Sequence, residues 1–198
     1  MIAIRDRGTA RFGTESSKAN AVFELLQSGD KHWDLTVSNL FFQARQLAAS
    51  AVSENSETTL VVSALLYRPC QILACGSVQA GDWTSDSLLE TGTYDWLVRY
   101  FGEDVAETIR MQPLAKRFLS TVLPRYFGHL QLDEQRSVMS GGGFMSASER
   151  VSFGKNRCQN NAMKIARWSD RGADRCLEIP EMHFFKPFIE EAMVTASL

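Results

Sequence analysis

Leu35-Thr36-Val37-Ser38-Asn39-Leu40-Phe41-Phe42-Gln43-Ala44-Arg45-Gln46-Leu47-Ala48-Ala49 reads as a helix. Its apolar side chains Leu35, Val37, Leu40, Phe41, Ala44, Leu47 and Ala48 recur at three- and four-residue spacings. That period gathers them on one face of a helix, whereas a strand would alternate them. Upstream, Ser17 suits the cap of a helix through Val22, Leu25 and Leu26, with Gly29 just past its end. Downstream, Ser56 or Thr58 opens a helix through Val62, Leu65 and Leu66, and Pro69 is expected to end it.

The helical period continues to the C-terminus. Residues 75–86 contain Gly and Ser and read as a long loop. A helix over 86–101 should stop at Gly102, and another should start at Glu103 and Asp104, acids suited to the positive end of its dipole. That helix carries Val105, Ile109 and Phe118, should bend at Pro113, and closes at Pro124. Gly141–Gly143 is a turn, after which Ser146 and Glu149 have the spacing of a capping box. Residues 156–171 are amphipathic through Ala162, Ile165, Ala166 and Trp168, and the last helix follows Pro180 with Phe184, Phe185, Phe188, Ile189 and Met193. No stretch alternates as a strand would, and no repeat recurs. The expected fold class is all-α, a single helical bundle over residues 17–198 behind an N-terminal extension, residues 1–16.

Composition narrows the partners. Of the 198 residues 44% are hydrophobic, with twelve Phe and four Trp, enough for one core. A net charge of −2 leaves no basic footprint, so nucleic acid is not an expected partner. Residues 1–13 lack the apolar core of a signal peptide, and no apolar run approaches the roughly 20 residues of a membrane helix. Cys70, Cys75, Cys158 and Cys176 show no C-x-x-C spacing and no paired histidine, which fits reduced thiols. The expectation is a soluble cytoplasmic protein whose partner is a small-molecule substrate, with no membrane contact and a composition compatible with a homodimer.

Familiar chemical motifs are missing. Gly141-Gly142-Gly143 lacks the Lys-Ser/Thr of a phosphate loop, and no G-x-G-x-x-G opens a helix after a strand. His32, His129 and His183 lie far apart with no acid or cysteine at ligand spacing. No nucleophile-elbow pattern is present.

Several segments, taken in order, do carry a resemblance. They are Val37-Ser38-Asn39-Leu40-Phe41-Phe42, Ser63-Ala64-Leu65-Leu66-Tyr67-Arg68, Trp96-Leu97-Val98-Arg99-Tyr100-Phe101-Gly102, Ile109 to Leu119, Gly142 to Glu149, and Ala166-Arg167-Trp168-Ser169-Asp170. From Asp34 to Glu190 the chain resembles the small HD-domain proteins of the phosphohydrolase and phosphonate-oxygenase type. That resemblance implies a helical fold around a metal site. It also implies that Phe42, Tyr67, Arg68, Leu89 and Gln112 stand where the family has His or Asp ligands. The family's last aspartate falls on Ser169 or, one residue later, on Asp170. Lys116 matches a lysine that binds the anionic part of the family's substrate.

Phe and Leu do not ligate a cation and an arginine repels one, so the expectation is a site with no metal and no cofactor. The old ligand cavity should be more apolar, with Tyr67, Gln112 and Lys116 as catalytic groups. Arg68, Phe42, Leu89, Met111, Trp168 and Ser169 are its expected substrate contacts, and Arg68 suits a bidentate grip on a carboxylate. Plainer roles stand beside these: Lys116 and Arg68 at the surface, Phe42 and Leu89 as core filling, Trp168 as packing. The expected function is metal-independent cyclisation, of Diels–Alder type, of an apolar, carboxylate-bearing molecule in natural-product biosynthesis. The family's range, rather than any motif here, suggests that reaction. The alternative is an inactive module that binds a small molecule or regulates.

Overall fold

A computed structural model describes residues 15–32, 35–75, 92–123, 125–171 and 177–196, and all regular structure among them is helical. In chain order the elements are α1 (Glu15–His32), α2 (Leu35–Ser53), α3 (Thr58–Cys75), α4 (Thr93–Arg110) and α5 (Gln112–Val122). They continue with α6 (Tyr126–His129), α7 (Leu132–Ser140), α8 (Ala147–Gly154) and α9 (Gln159–Asp170). A short 3-10 turn (Met182–Phe185) leads into α10 (Lys186–Ala196). The expected all-α bundle is what forms. None of the described helices is long and apolar enough to cross a membrane.

Helix α3 is the axis of the molecule. Leu60, Val61, Val62, Ala64, Leu65, Leu66 and Tyr67 are all buried, so this stretch of α3 gives no face to water. It packs between α2, α4 and α10. On α2 the buried side chains are Phe41, Ala44, Leu47, Ala48, Ala49 and Ala51, so short alanines let the two helix backbones approach. Ala19, Val22 and Leu26 of α1 join the same core. A second cluster gathers Met111 and, from α5, Ala115 and Leu119 with Met145, Phe153, Cys158, Ala162 and Ala166. Helix α9 links the two, giving Ile165 and Trp168 to the first and Ala162 and Ala166 to the second.

Three sequence expectations change. Helix α3 runs through Pro69 to Cys75; an interior proline costs about 3 kcal/mol, and burial of Cys70 at 1% exposure beyond it offsets part of that. Helix α1 starts at Glu15, ahead of Ser17, and continues past Gly29, because packing on α2 and α10 carries it further than propensity alone. The bend expected at Pro113 lies instead at Met111, which closes α4. Pro113 sits in the first turn of α5, where its missing N–H has no helical partner to lose.

Gly102 behaves nearly as read. Its φ of 80° and ψ of 170° interrupt the helical backbone inside α4, so the two expected helices exist as the halves of one kinked element. The Ser146–Glu149 capping box is present with both reciprocal hydrogen bonds. The loop expected over 75–86, along with Leu89, lies outside the described residues beyond Cys75.

Candidate functional site

Arg68 leaves α3 toward α2 and α9, where a cleft of about 400 Å³ opens. Phe42, Leu47 and Trp168 form its apolar wall; Asn39, Gln43, Gln46 and Gln131 form much of the rest. Arg68, Ser169, Glu134 and Asp170 complete it. The expected apolar cavity is a cleft of mixed lining: α2 turns a glutamine-rich face toward it, while Phe42, Leu47 and Trp168 supply apolar surface.

Arg68 is held by neutral partners. One terminal nitrogen donates to Gln71 Oε1 at 2.9 Å and the other to Ser169 Oγ at 2.7 Å, and its buried Nε has no partner. No carboxylate among the described residues takes up its charge. The guanidinium also lies 5.2 Å from the Tyr67 ring centre. Two neutral hydrogen bonds fix the fork and leave its positive charge available to an anion.

Behind the cleft sits a second charged group. Lys116 Nζ donates to Glu134 Oε1 at 2.7 Å and stands 2.9 Å from Asp170 Oδ1, an ion pair without hydrogen-bond alignment. The Tyr126 hydroxyl donates to Asp170 Oδ2. Burial would pull the lysine's pKa down, but Tyr67, Asp170 and Glu134 outweigh it and raise it. For Asp170 burial dominates and raises the carboxyl's pKa, against the pull of Lys116. Burial also raises the Tyr126 hydroxyl, and Asp170 beside it adds to the effect.

The expected site residues divide by position. Phe42, Arg68, Trp168 and Ser169 line the one cleft. Phe42 is 41% exposed and carries the Arg45 guanidinium over its ring at 5.6 Å. Trp168 is mostly buried and donates its indole N–H to Glu54 Oε1 at 2.8 Å. Tyr67 is buried and its hydroxyl accepts from Gln71 Nε2 at 3.1 Å. Gln112, fully buried, donates to the Thr108 carbonyl at 3.0 Å and leaves its Oε1 without a partner. Met111 is not brought to this cleft; it packs in the second cluster and lines a separate hollow with Arg110 and Phe153. Leu89 lies outside the described residues.

Glu134, Tyr126 and Gln71 escaped the sequence reading. Nothing in the local pattern of α7 distinguishes Glu134 from Asp133 beside it; only the helix's placement aims one of them at Lys116. Asp170 had a partial signal, as the alternative to Ser169, and both prove to line the cleft.

No protein-family model matches the chain. It is 28% identical over 188 residues to a hydroxymethylphosphonate dioxygenase of Gimesia maris, covering 91% of this chain and 90% of that protein. It is 25% identical over 145 residues to a [1-hydroxy-2-(trimethylamino)ethyl]phosphonate dioxygenase (glycine-betaine-forming) of Leisingera caerulea, covering 73% and 74%. Both relatives are enzymes. Their names overturn the expected cyclisation: both describe dioxygenases acting on phosphonates, and neither describes ring closure.

The resemblance to HD-domain proteins implies a metal, and the donors among the described residues do not fit one. Among the described residues no three His, Cys, Asp or Glu side chains converge where they would hold an ion. The cleft's Glu134 and Asp170 are both engaged with the Lys116 ammonium. No step through a metal follows from these donors.

Proposed function

We propose that this chain is an enzyme of phosphonate metabolism that binds a small organophosphonate in the cleft between α2, α3 and α9, with the acid group on Arg68. The observation that carries the reading is the fixed guanidinium of Arg68, which faces the cleft with no carboxylate partner among the described residues. A phosphonate offers geminal oxygens that match a planar guanidinium fork. The amides of Asn39, Gln43 and Gln46 supply donors for further oxygens and for a hydroxyl near the acid group. The two phosphonate-acting relatives support the substrate class.

We read the helical frame as HD-type, with Phe42, Tyr67, Arg68, Leu89 and Gln112 at its ligand positions. In that frame Arg68 replaces a metal-binding aspartate, so a charge that drew a cation gives way to one that draws the ligand's acid group.

Phosphorus NMR tests the reading, because one spectrum reports both binding and conversion. Titrating the purified protein into hydroxymethylphosphonate should broaden or shift its resonance, and incubation in air should produce a new phosphorus signal. Arg68→Ala should weaken binding about ten- to a hundredfold, the weight of one charge-assisted pair. A resonance unmoved by stoichiometric protein would refute the proposal.

A further inference from the structure

Helix α7 is held to the molecule by few side chains. Val138 is its buried residue, while Leu132 and Met139 are 69% and 54% exposed. Gln135 bonds back to the Leu130 carbonyl at 2.9 Å. What ties the helix to the site is Glu134, whose carboxylate lines the cleft and reaches back to Lys116.

Lys116 itself does not line the cleft, whereas its two carboxylate partners do. The two are not equivalent. Asp170 has a side chain only 7% exposed, sits at the end of a packed helix, and also receives the Tyr126 hydroxyl. The Glu134 side chain is 25% exposed and rides on the loosely held α7. When Glu134 swings away, Lys116 keeps Asp170, so the buried charge is never left uncompensated. On the same cleft Arg68 has no carboxylate of its own among the described residues.

We propose that Glu134 is an internal stand-in for the acid group of the ligand. It covers Lys116 and gives way to an incoming anion, which is then held between Arg68 and Lys116. The proposal rests on the organophosphonate reading of the cleft and deepens it: the resemblance already implies that Lys116 binds the anion, and what is added is the residue that competes for that lysine. An anion arriving with Glu134 in place meets a like charge and a lysine already paired. Binding therefore carries the cost of separating Glu134 from Lys116, and that cost makes Glu134 a selectivity element. A doubly charged phosphonate recovers it through two cations; a neutral molecule of the same shape does not.

Methylphosphonate, titrated calorimetrically at low salt into the full chain, tests this. Glu134→Gln keeps the shape and removes the competing charge, and should bind about five- to tenfold more tightly than the wild type. Adding Lys116→Met to that variant should abolish the gain. Equal or weaker binding by Glu134→Gln, with the wild type binding measurably, overturns the stand-in role and leaves the organophosphonate reading intact. Absence of binding in both proteins refutes the reading and the stand-in with it. If Glu134→Gln does not fold, hydrogen exchange on the wild type decides: saturating methylphosphonate should speed amide exchange across α7, and unchanged or slower exchange overturns the proposal.

Discussion

Lys116 shows how far one residue's role depends on its neighbours. Its ammonium is buried, and against that desolvation Tyr67, Asp170 and Glu134 hold its pKa above the ordinary lysine value. A lysine whose folded pKa is raised contributes stability that is complete below its ordinary value of 10.5 and lost only as pH rises through the higher folded value. Its ion pairs should therefore hold through the neutral range. Lys116→Met removes the cation and leaves Asp170 buried against the Tyr126 hydroxyl alone, which should cost about 3–5 kcal/mol in urea unfolding. The raised pKa of Asp170 has the opposite sign, so protonation should recover part of that loss in the variant as pH falls. Unchanged midpoints across this range would show that the charges are solvent-screened rather than buried.

Two elements carry their own tests. At α8, Ser146 accepts from the Glu149 N–H, and the Glu149 carboxylate accepts from the Ser146 N–H at 2.8 Å. Ser146→Ala should cost about 1 kcal/mol, read from the thermal midpoint. That backbone bond, with Arg117 adding to it, holds the Glu149 carboxyl down at about 2, from an ordinary 4.5. A depressed carboxylate contributes stability above its ordinary value and loses it as pH falls through the folded one. The carboxylate's share of the capping should therefore be lost between pH 4.5 and 2, while the Ser146 hydroxyl's share stays, and Glu149→Gln should flatten the acid limb of the stability profile there. At α4, the φ and ψ of Gly102 lie in a region open essentially to glycine alone. Gly102→Ala should destabilise by roughly 1–3 kcal/mol, measured by chemical denaturation. Arg117 makes a similar demand on the glycine turn: its guanidinium donates to the Gly142 and Gly143 carbonyls, and a Cβ on Gly142 would lie 3.1 Å from Arg117 Cζ.

At the scale of the whole molecule, the two clusters share α9, so opening one should expose the other. Cys70 reports on this. It is 1% exposed in the central helix, and burial pushes its thiol up to about 12. In the native chain it should resist alkylation at neutral pH, since the thiolate is the nucleophile. Its labelling, followed on its own peptide by mass spectrometry, should track global unfolding in denaturant. Fast labelling of Cys70 under native conditions would show that α3 opens without the rest.

The helical class, most of the core, the break at Gly102 and the capping box were legible in the sequence, since each follows from periodicity or from backbone chemistry within a few residues. The sequence also singled out Arg68 as an unusual charge beside Tyr67. It did not determine that α3 would pass Pro69, because that depends on what the far side of the helix packs against. Nor did it reveal that Lys116 would meet Glu134 and Asp170, eighteen residues away in one case and on another helix in the other. Local spacing fixes which face of a helix is apolar; only the meeting of α5, α7 and α9 decides which charges share a buried space, since Coulomb attraction and desolvation depend on distance in three dimensions. The tertiary structure thus made the expected apolar cavity a cleft of mixed lining, with one cation facing in and another covered.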